Sequence, residues 1–139
     1  MNRIFGIDFG LSKVGISVSD PNKLISFPLK VIRYKKIDDL INEIIVLSKE
    51  KNVNIIVLGY PLSMNFKKND MTKRIEDFKV LLEEYKFKVF LQDERLSSES
   101  AKKTMINENI KIGHNKEKVD LIASTIILQT FLDKNNNAK

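Results

Sequence analysis

Residues 3–19 read Arg3-Ile4-Phe5-Gly6-Ile7-Asp8-Phe9-Gly10-Leu11-Ser12-Lys13-Val14-Gly15-Ile16-Ser17-Val18-Ser19. Two runs, Arg3 to Phe9 and Val14 to Ser19, carry strand-forming residues on either side of the short link Gly10-Leu11-Ser12-Lys13. This pattern predicts an antiparallel hairpin. Alternation puts Ile4, Gly6 and Asp8 on one face of the first strand and Phe5, Ile7 and Phe9 on the other. An ionised Asp8 between large apolar residues costs desolvation energy unless a cation or hydrogen bonds offset it. It is either a turn cap before Gly10 or part of a site.

Outward from the hairpin, Asp20-Pro21-Asn22 is a turn, and Leu24 to Ile32 supplies a third strand that Pro28 restricts to an edge or bulge. Ile37, Leu40, Ile41, Ile44, Ile45 and Ser48 recur at helical spacing behind Asp38 and Asp39, predicting a helix over Ile37 to Lys51. Ile55-Ile56-Val57-Leu58, ending at Gly59, reads as a buried central strand. A polar loop follows from Pro61 to Asp70, then a helix marked by Ile75, Phe78, Leu81, Leu82 and Tyr85. Val89-Phe90-Leu91 is a second short buried strand, ending in Asp93-Glu94. Ser97 suits the N-cap of a helix through Ala101 and Met105. Asn107 to Lys118 reads as a basic loop, and the last helix as running from about Glu117 to Leu132. The expected order is ββ(β)αβαβαα, an α/β domain over residues 1–133 with a mixed sheet covered by helices, followed by a frayed polar tail at 134–139.

The 139 residues suit one domain with a real core. Without Cys there is no disulfide framework, thiolate nucleophile or zinc–thiolate site, and a single His disfavours an imidazole metal site or a His-based triad. No apolar run reaches the about 20 residues that span a bilayer. Asp8 comes too early for a signal peptide, so the expected location is the cytoplasm. The net charge of +6 suits a polyanion, RNA or DNA, more than a membrane. Only four of the 24 cations are Arg, however, and the Lys, Asn and Ile excess is also what an AT-rich coding bias produces.

Two further acids stand in apolar context. Glu94 follows a buried strand, where sites in open α/β sheets collect, while Asp93 would point to the opposite face. Asp120 shares a helix face with Ala123, Ser124, Ile127 and Phe131. Each has a structural alternative: a solvated strand end for Glu94, a helix-dipole partner for Asp120. Taken with Asp8 they form an oxygen-only set, which selects hard cations such as Mg²⁺ or Mn²⁺. Such ions can activate water and stabilise a leaving oxygen in phosphodiester hydrolysis.

Four motifs in order resemble the YqgF/RuvX family of Holliday junction resolvases, a family also implicated in maturing pre-16S ribosomal RNA. Asp8-Phe9-Gly10 followed by Lys13-Val14-Gly15-Ile16 resembles its D-F-G-x-x-[KR]-x-G opening. Gly59-Tyr60-Pro61-Leu62-Ser63-Met64 resembles its G-L-P-L-N-M loop. Asp93-Glu94-Arg95-Leu96-Ser97 matches D-E-R-L-S in full. Lys118-Val119-Asp120, Ala123 and Ile126-Ile127-Leu128-Gln129 resemble its last helix. The sequence departs at Tyr60, at Asn65-Phe66 and at Leu121.

The resemblance implies an RNase H-like fold, a mixed five-stranded sheet with helices on both faces. It implies that Asp8, Glu94 and Asp120 are the catalytic acids and hold Mg²⁺ or Mn²⁺, with Asp93 or a substrate phosphate as candidates to complete the metal shell. The expected function is a divalent-metal-dependent endonuclease, a hydrolase acting in 5′-end maturation of pre-16S rRNA. A resolvase of branched DNA and a non-catalytic RNA-binding assembly factor are the alternatives. A nucleotide-phosphate enzyme of the actin or sugar-kinase type would need a second related domain. Expected nucleic-acid contacts are Lys13, Arg95, Lys67, Lys68, Lys73, Arg74, Lys116 and Lys118. Structured RNA is the favoured partner, with pre-ribosomal particles as context, no membrane, and a monomer or homodimer.

Overall fold

The computed structural model of the chain describes residues 2–61, 70–93 and 116–137, and side chains over 2–61, 70–93 and 120–136. The elements in order are β1 (Arg3–Phe9), β2 (Lys13–Ser19), β3 (Ser26–Arg33), α1 (Ile37–Lys51), β4 (Val53–Tyr60), α2 (Asp70–Glu84), β5 (Lys88–Asp93) and α3 (Lys116–Asn137). The described strands form one sheet in the order β3-β2-β1-β4-β5. β1–β2 and β2–β3 are antiparallel, while β1–β4 and β4–β5 are parallel. The parallel strands β1, β4 and β5 therefore end at one edge, where Asp8, Tyr60 and Asp93 lie. The helix expected at Ser97 lies outside the described residues.

Local chemistry explains the boundaries. The Asp20 carboxylate accepts hydrogen bonds from the Leu24 and Ile25 amides at 2.7 and 2.9 Å. Those amides close a turn, so the third strand starts at Ser26 rather than at Leu24. Backbone N–H groups bonded to Asp20 hold its carboxyl below the usual carboxylate range. Pro28 sits on the outer strand, and the β2–β3 register shifts between Ile16 and Ser17, beside Pro28. α1 starts and stops as its periodicity predicts. Asn52 closes it in the left-handed region (φ 58°) and donates its amide to the Ser48 carbonyl.

The two faces of the sheet are built differently. On one face Phe5, Ile7, Val14 and Ile16 pack with Leu40, Ile44, Phe78 and Leu82 of α1 and α2. On the other, Ile4 and Val57 pack against Ile127, Leu128 and Leu132 of α3. Fully burying one such Leu or Ile stabilises the fold by about 2 kcal/mol. Over β1 and β2 the second face is otherwise lined by small residues, whereas toward β5 Phe90 meets Phe131 with ring centroids 5.3 Å apart. Ser19 Oγ accepts from the Ile4 amide at 2.9 Å, and Ser17 Oγ donates to the Ser124 carbonyl at 2.7 Å. A Cβ built on Gly6 would stand 2.6 Å from Leu128 Cβ. Helix and sheet thus approach too closely for larger side chains.

The last helix corrects one expectation. It runs past Leu132 to Asn137, so Lys134–Asn137 is helical rather than a polar tail. Contacts to the β2–β3 connection secure its C-terminal half. Gln129 accepts from the Ser26 amide at 2.9 Å and donates to the Leu24 carbonyl at 3.0 Å. Asn136 donates to the Lys23 carbonyl at 3.1 Å.

Candidate active site

Asp8 is the penultimate residue of β1 and is half-buried. Gly6, two residues earlier, faces α3, so strand alternation aims Asp8 at the same side. Its partner across the hairpin is Gly15. A Cβ on Gly15 would lie 2.5 Å from the Asp120 carbonyl oxygen and 3.3 Å from Asp120 Cβ. Gly15 is therefore the point where the backbone of α3 rests on the sheet. That contact brings Asp120 beside the strand pair that carries Asp8. Distant parts of the chain thus supply two carboxylates to one corner of the sheet.

Lys13, at the start of β2, completes the described part of this corner. Its Nζ lies 3.0 Å from Asp120 Oδ2, with the two side chains 26% and 27% exposed. Oδ2 itself is buried and accepts no hydrogen bond of normal geometry among the described residues. The contact is thus Coulombic, and its partial exposure limits it to about 1 kcal/mol or less. One oxygen of Asp120 keeps its capacity for a further donor or a cation.

By register, β4 and β5 extend the site's edge. Leu58 pairs with Leu91, Gly59 with Gln92, and Tyr60 with Asp93. Tyr60 packs against the α1/α2 core, and its hydroxyl donates to Glu76 of α2 at 2.7 Å. Asp93 accordingly belongs to the face opposite Asp8, as sequence alternation predicts, and is poorly disposed to share a metal with it. Gln92 belongs to the Asp8 face. Glu94 lies outside the described residues, so no group of three His, Cys, Asp or Glu side chains suited to a metal is found among those described.

The expected basic contacts divide. Lys13 is at the site. Lys73 and Arg74 are exposed on α2, on the other face of the sheet. Lys67, Lys68 and Arg95 lie outside the described residues, as do the side chains of Lys116 and Lys118 in the first turn of α3. The sequence reading missed two features. One is the ion pair between Lys13 and Asp120. The other is the clustering of Phe9, Tyr34 and Phe78 at the end of the hairpin. Alternation had already directed Phe9 away from Asp8, but nothing local linked it to Tyr34. No helix among the described residues is long and apolar enough to cross a membrane.

Comparison with known proteins places this geometry in a group. The sequence profile of the RuvX family, described as Holliday junction resolvase, matches residues 2–134. A protein of Ruminiclostridium cellulolyticum is 38% identical over 136 residues, covering 95% of this chain and 94% of its own. One of Mesomycoplasma hyopneumoniae (strain 7448) is 36% identical over 135 residues, covering 95% and 94%. Both carry the provisional name of pre-16S rRNA nuclease. Among solved structures, Thermus thermophilus RuvC in complex with a Holliday junction substrate superposes with a TM-score of 0.62 at 10% identity, covering 96% of each chain. The fowlpox virus resolvase bound to Holliday junction DNA gives 0.61 at 12% identity, covering 96% of this chain and 98% of its own. These neighbours identify the mixed sheet and its helices as an RNase H-like fold.

Proposed function

The chain belongs to the RuvX family of Holliday junction resolvases, and we propose that it is a divalent-metal-dependent endonuclease that trims precursor 16S ribosomal RNA. The observation that carries this reading is the meeting of Asp8 and Asp120 on either side of Gly15 at the open edge of the sheet. The substrate follows from the provisional name that relatives sharing over a third of their residues carry.

The residues fit a hard cation. Their donors are carboxylate oxygens, and the buried Asp120 Oδ2 already faces one cation, the Lys13 ammonium at 3.0 Å, with no other partner for that oxygen among the described residues. Asp8 and Asp120 would hold Mg²⁺ or Mn²⁺ together with Glu94, the third acid that the family resemblance implies. When bound, the cation supplies Lewis-acid stabilisation of the charge that develops on the phosphate oxygens. Hydrolysis adds water across one P–O bond, leaving a phosphate on one fragment and a hydroxyl on the other. Lys13 neutralises part of the carboxylate charge and is within reach of a phosphate that enters the corner. Lys67, Lys68, Lys73, Arg95, Lys116 and Lys118 contribute the wider phosphate grip, in line with the net charge of +6.

The family description favours a second substrate, the four-way DNA junction. Offering both in parallel with Mg²⁺ or Mn²⁺ separates the readings. We expect cleavage of the ribosomal RNA precursor and an intact junction. Cutting of the junction alone would overturn the RNA assignment. Tight RNA binding with neither substrate cut would replace the nuclease with an assembly factor.

A further inference from the structure

At the same end of the sheet, on the face opposite Asp8, an open groove of about 360 Å³ lies between the β1–β2 turn, the segment entering α1, and α2. Phe9 and Tyr34, both half-buried, form one wall, with the buried Phe78 packed against Phe9. Phe9 and Phe78 have centroids 4.7 Å apart, and Phe9 and Tyr34 6.3 Å. Leu11, 60% exposed, and Ile37, 37% exposed, add apolar surface that the core does not use. Lys35, Arg74 and Asp77 are exposed around this surface, and none of them forms an ion pair among the described residues.

We propose that this groove receives an unpaired nucleobase of the nucleic-acid substrate, an inference that rests on the nuclease reading above. Four observations converge on that ligand. The volume lies within the about 300–1,000 Å³ usual for small-ligand sites. Aromatic walls suit a base, because every base has a π-face and stacking is tolerant of sequence. Lys35 and Arg74 suit the phosphates on either side of it. Asp77 would repel phosphate but can accept from the N–H groups of a base edge.

The groove is also joined to the site. The Tyr34 amide donates to the Ser12 carbonyl at 3.0 Å, and its hydroxyl donates to the Gly10 carbonyl. One wall of the groove is thereby fastened to the turn that leads into Lys13, and Lys13 contacts Asp120. Asp8 and Phe9 are consecutive and face opposite sides of the sheet. A strand with one phosphate at Asp8 can cross the Gly10–Ser12 turn and deliver a neighbouring base to Phe9. Burial in this wall raises the Tyr34 hydroxyl above its usual pKa, so the phenol stays neutral and keeps its bond to Gly10.

The test uses short single-stranded oligomers, RNA and DNA, intact or with one abasic position moved along the chain. Binding is measured without added metal for the native protein, Ile37→Asp and Arg74→Ala, and each protein is melted to check its fold. Ile37→Asp puts a negative charge at the groove, yet its position at the first residue of α1 favours an acid there. We expect one abasic position to weaken native binding about tenfold and Ile37→Asp to abolish that difference. Arg74→Ala should weaken all oligomers and lower the salt slope by about one. The ring resonances of Phe9, Tyr34 and Phe78 should shift with intact oligomers. An effect in only one polymer would identify the source of the base. Oligomers that bind with no dependence on abasic position, on Ile37→Asp or in the rings, while the native protein supplied with Mg²⁺ or Mn²⁺ cuts the ribosomal RNA precursor, would overturn the groove alone. Ring shifts and abasic dependence, with neither the ribosomal RNA precursor nor the junction cut once Mg²⁺ or Mn²⁺ is supplied, would uphold the groove and overturn the nuclease.

Discussion

Replacing Asp8 with Asn is expected to slow cleavage by on the order of a thousandfold or more while the protein stays folded. The substitution keeps the shape of the side chain and removes its charge. The main-chain pairing of Asp8 with Gly15 is untouched, because the hairpin needs only backbone groups there. Removing a half-buried charge relieves a desolvation cost as well as deleting contacts. Stability should consequently change by about 1 kcal/mol or less. Single-turnover cleavage and thermal melting on the same preparation check both halves. Full activity in the variant would remove Asp8 from the chemistry, whereas an unfolded variant would make it a structural residue.

Gly15→Ala should damage activity beyond its effect on stability. The new Cβ would stand 2.5 Å from the carbonyl oxygen of Asp120 and 2.8 Å from its carbonyl carbon. Both are backbone atoms, so no rotamer change relieves the clash and α3 must move off the sheet. Overpacking of this kind costs about 1–3 kcal/mol. The displacement also carries Asp120 away from Asp8, and a shift of about 1 Å at a site can cost about a hundredfold in rate. Gly6→Ala is the control. Its Cβ would meet Ser17 Oγ at 2.5 Å and Leu128 Cβ at 2.6 Å, deeper under the helix. The two variants should lose similar stability, but the folded fraction of Gly6→Ala should keep much more of the rate. Equal rate losses in both would mean that Gly15 has no special relation to the site.

The sheet was legible in the sequence because its signals are local. The runs Ile4–Phe9 and Ile55–Leu58 are apolar enough to mark strands buried on both faces, and Pro28 correctly announced an outer strand. α1 was legible end to end because its period and its acidic start agree. The end of α3 was not. Lys134–Asn137 is polar by composition, and its helix is sustained by bonds such as that from Asn136 to Lys23, remote in sequence.

The same division holds for the site. Asp8 and Asp120 were each conspicuous as acids in apolar context. Their meeting depends on Gly15, whose role as a contact point for α3 has no local signature. The Lys13–Asp120 pair and the Phe9–Tyr34–Phe78 wall are likewise products of tertiary register. Composition predicted a polyanionic partner from net charge, but only the fold separates Lys13, at the carboxylates, from Arg74, at the groove on the opposite face.

Binding of Mn²⁺, followed by its paramagnetic resonance as the protein is titrated in, tests the proposed carboxylate site without requiring the right substrate. The native protein should bind the ion. Asp8→Asn, Glu94→Gln and Asp120→Asn should each weaken binding by at least about tenfold with the melting temperature little changed. Native affinity retained in all three folded variants would contradict the account, because the three acids would then not form one metal site.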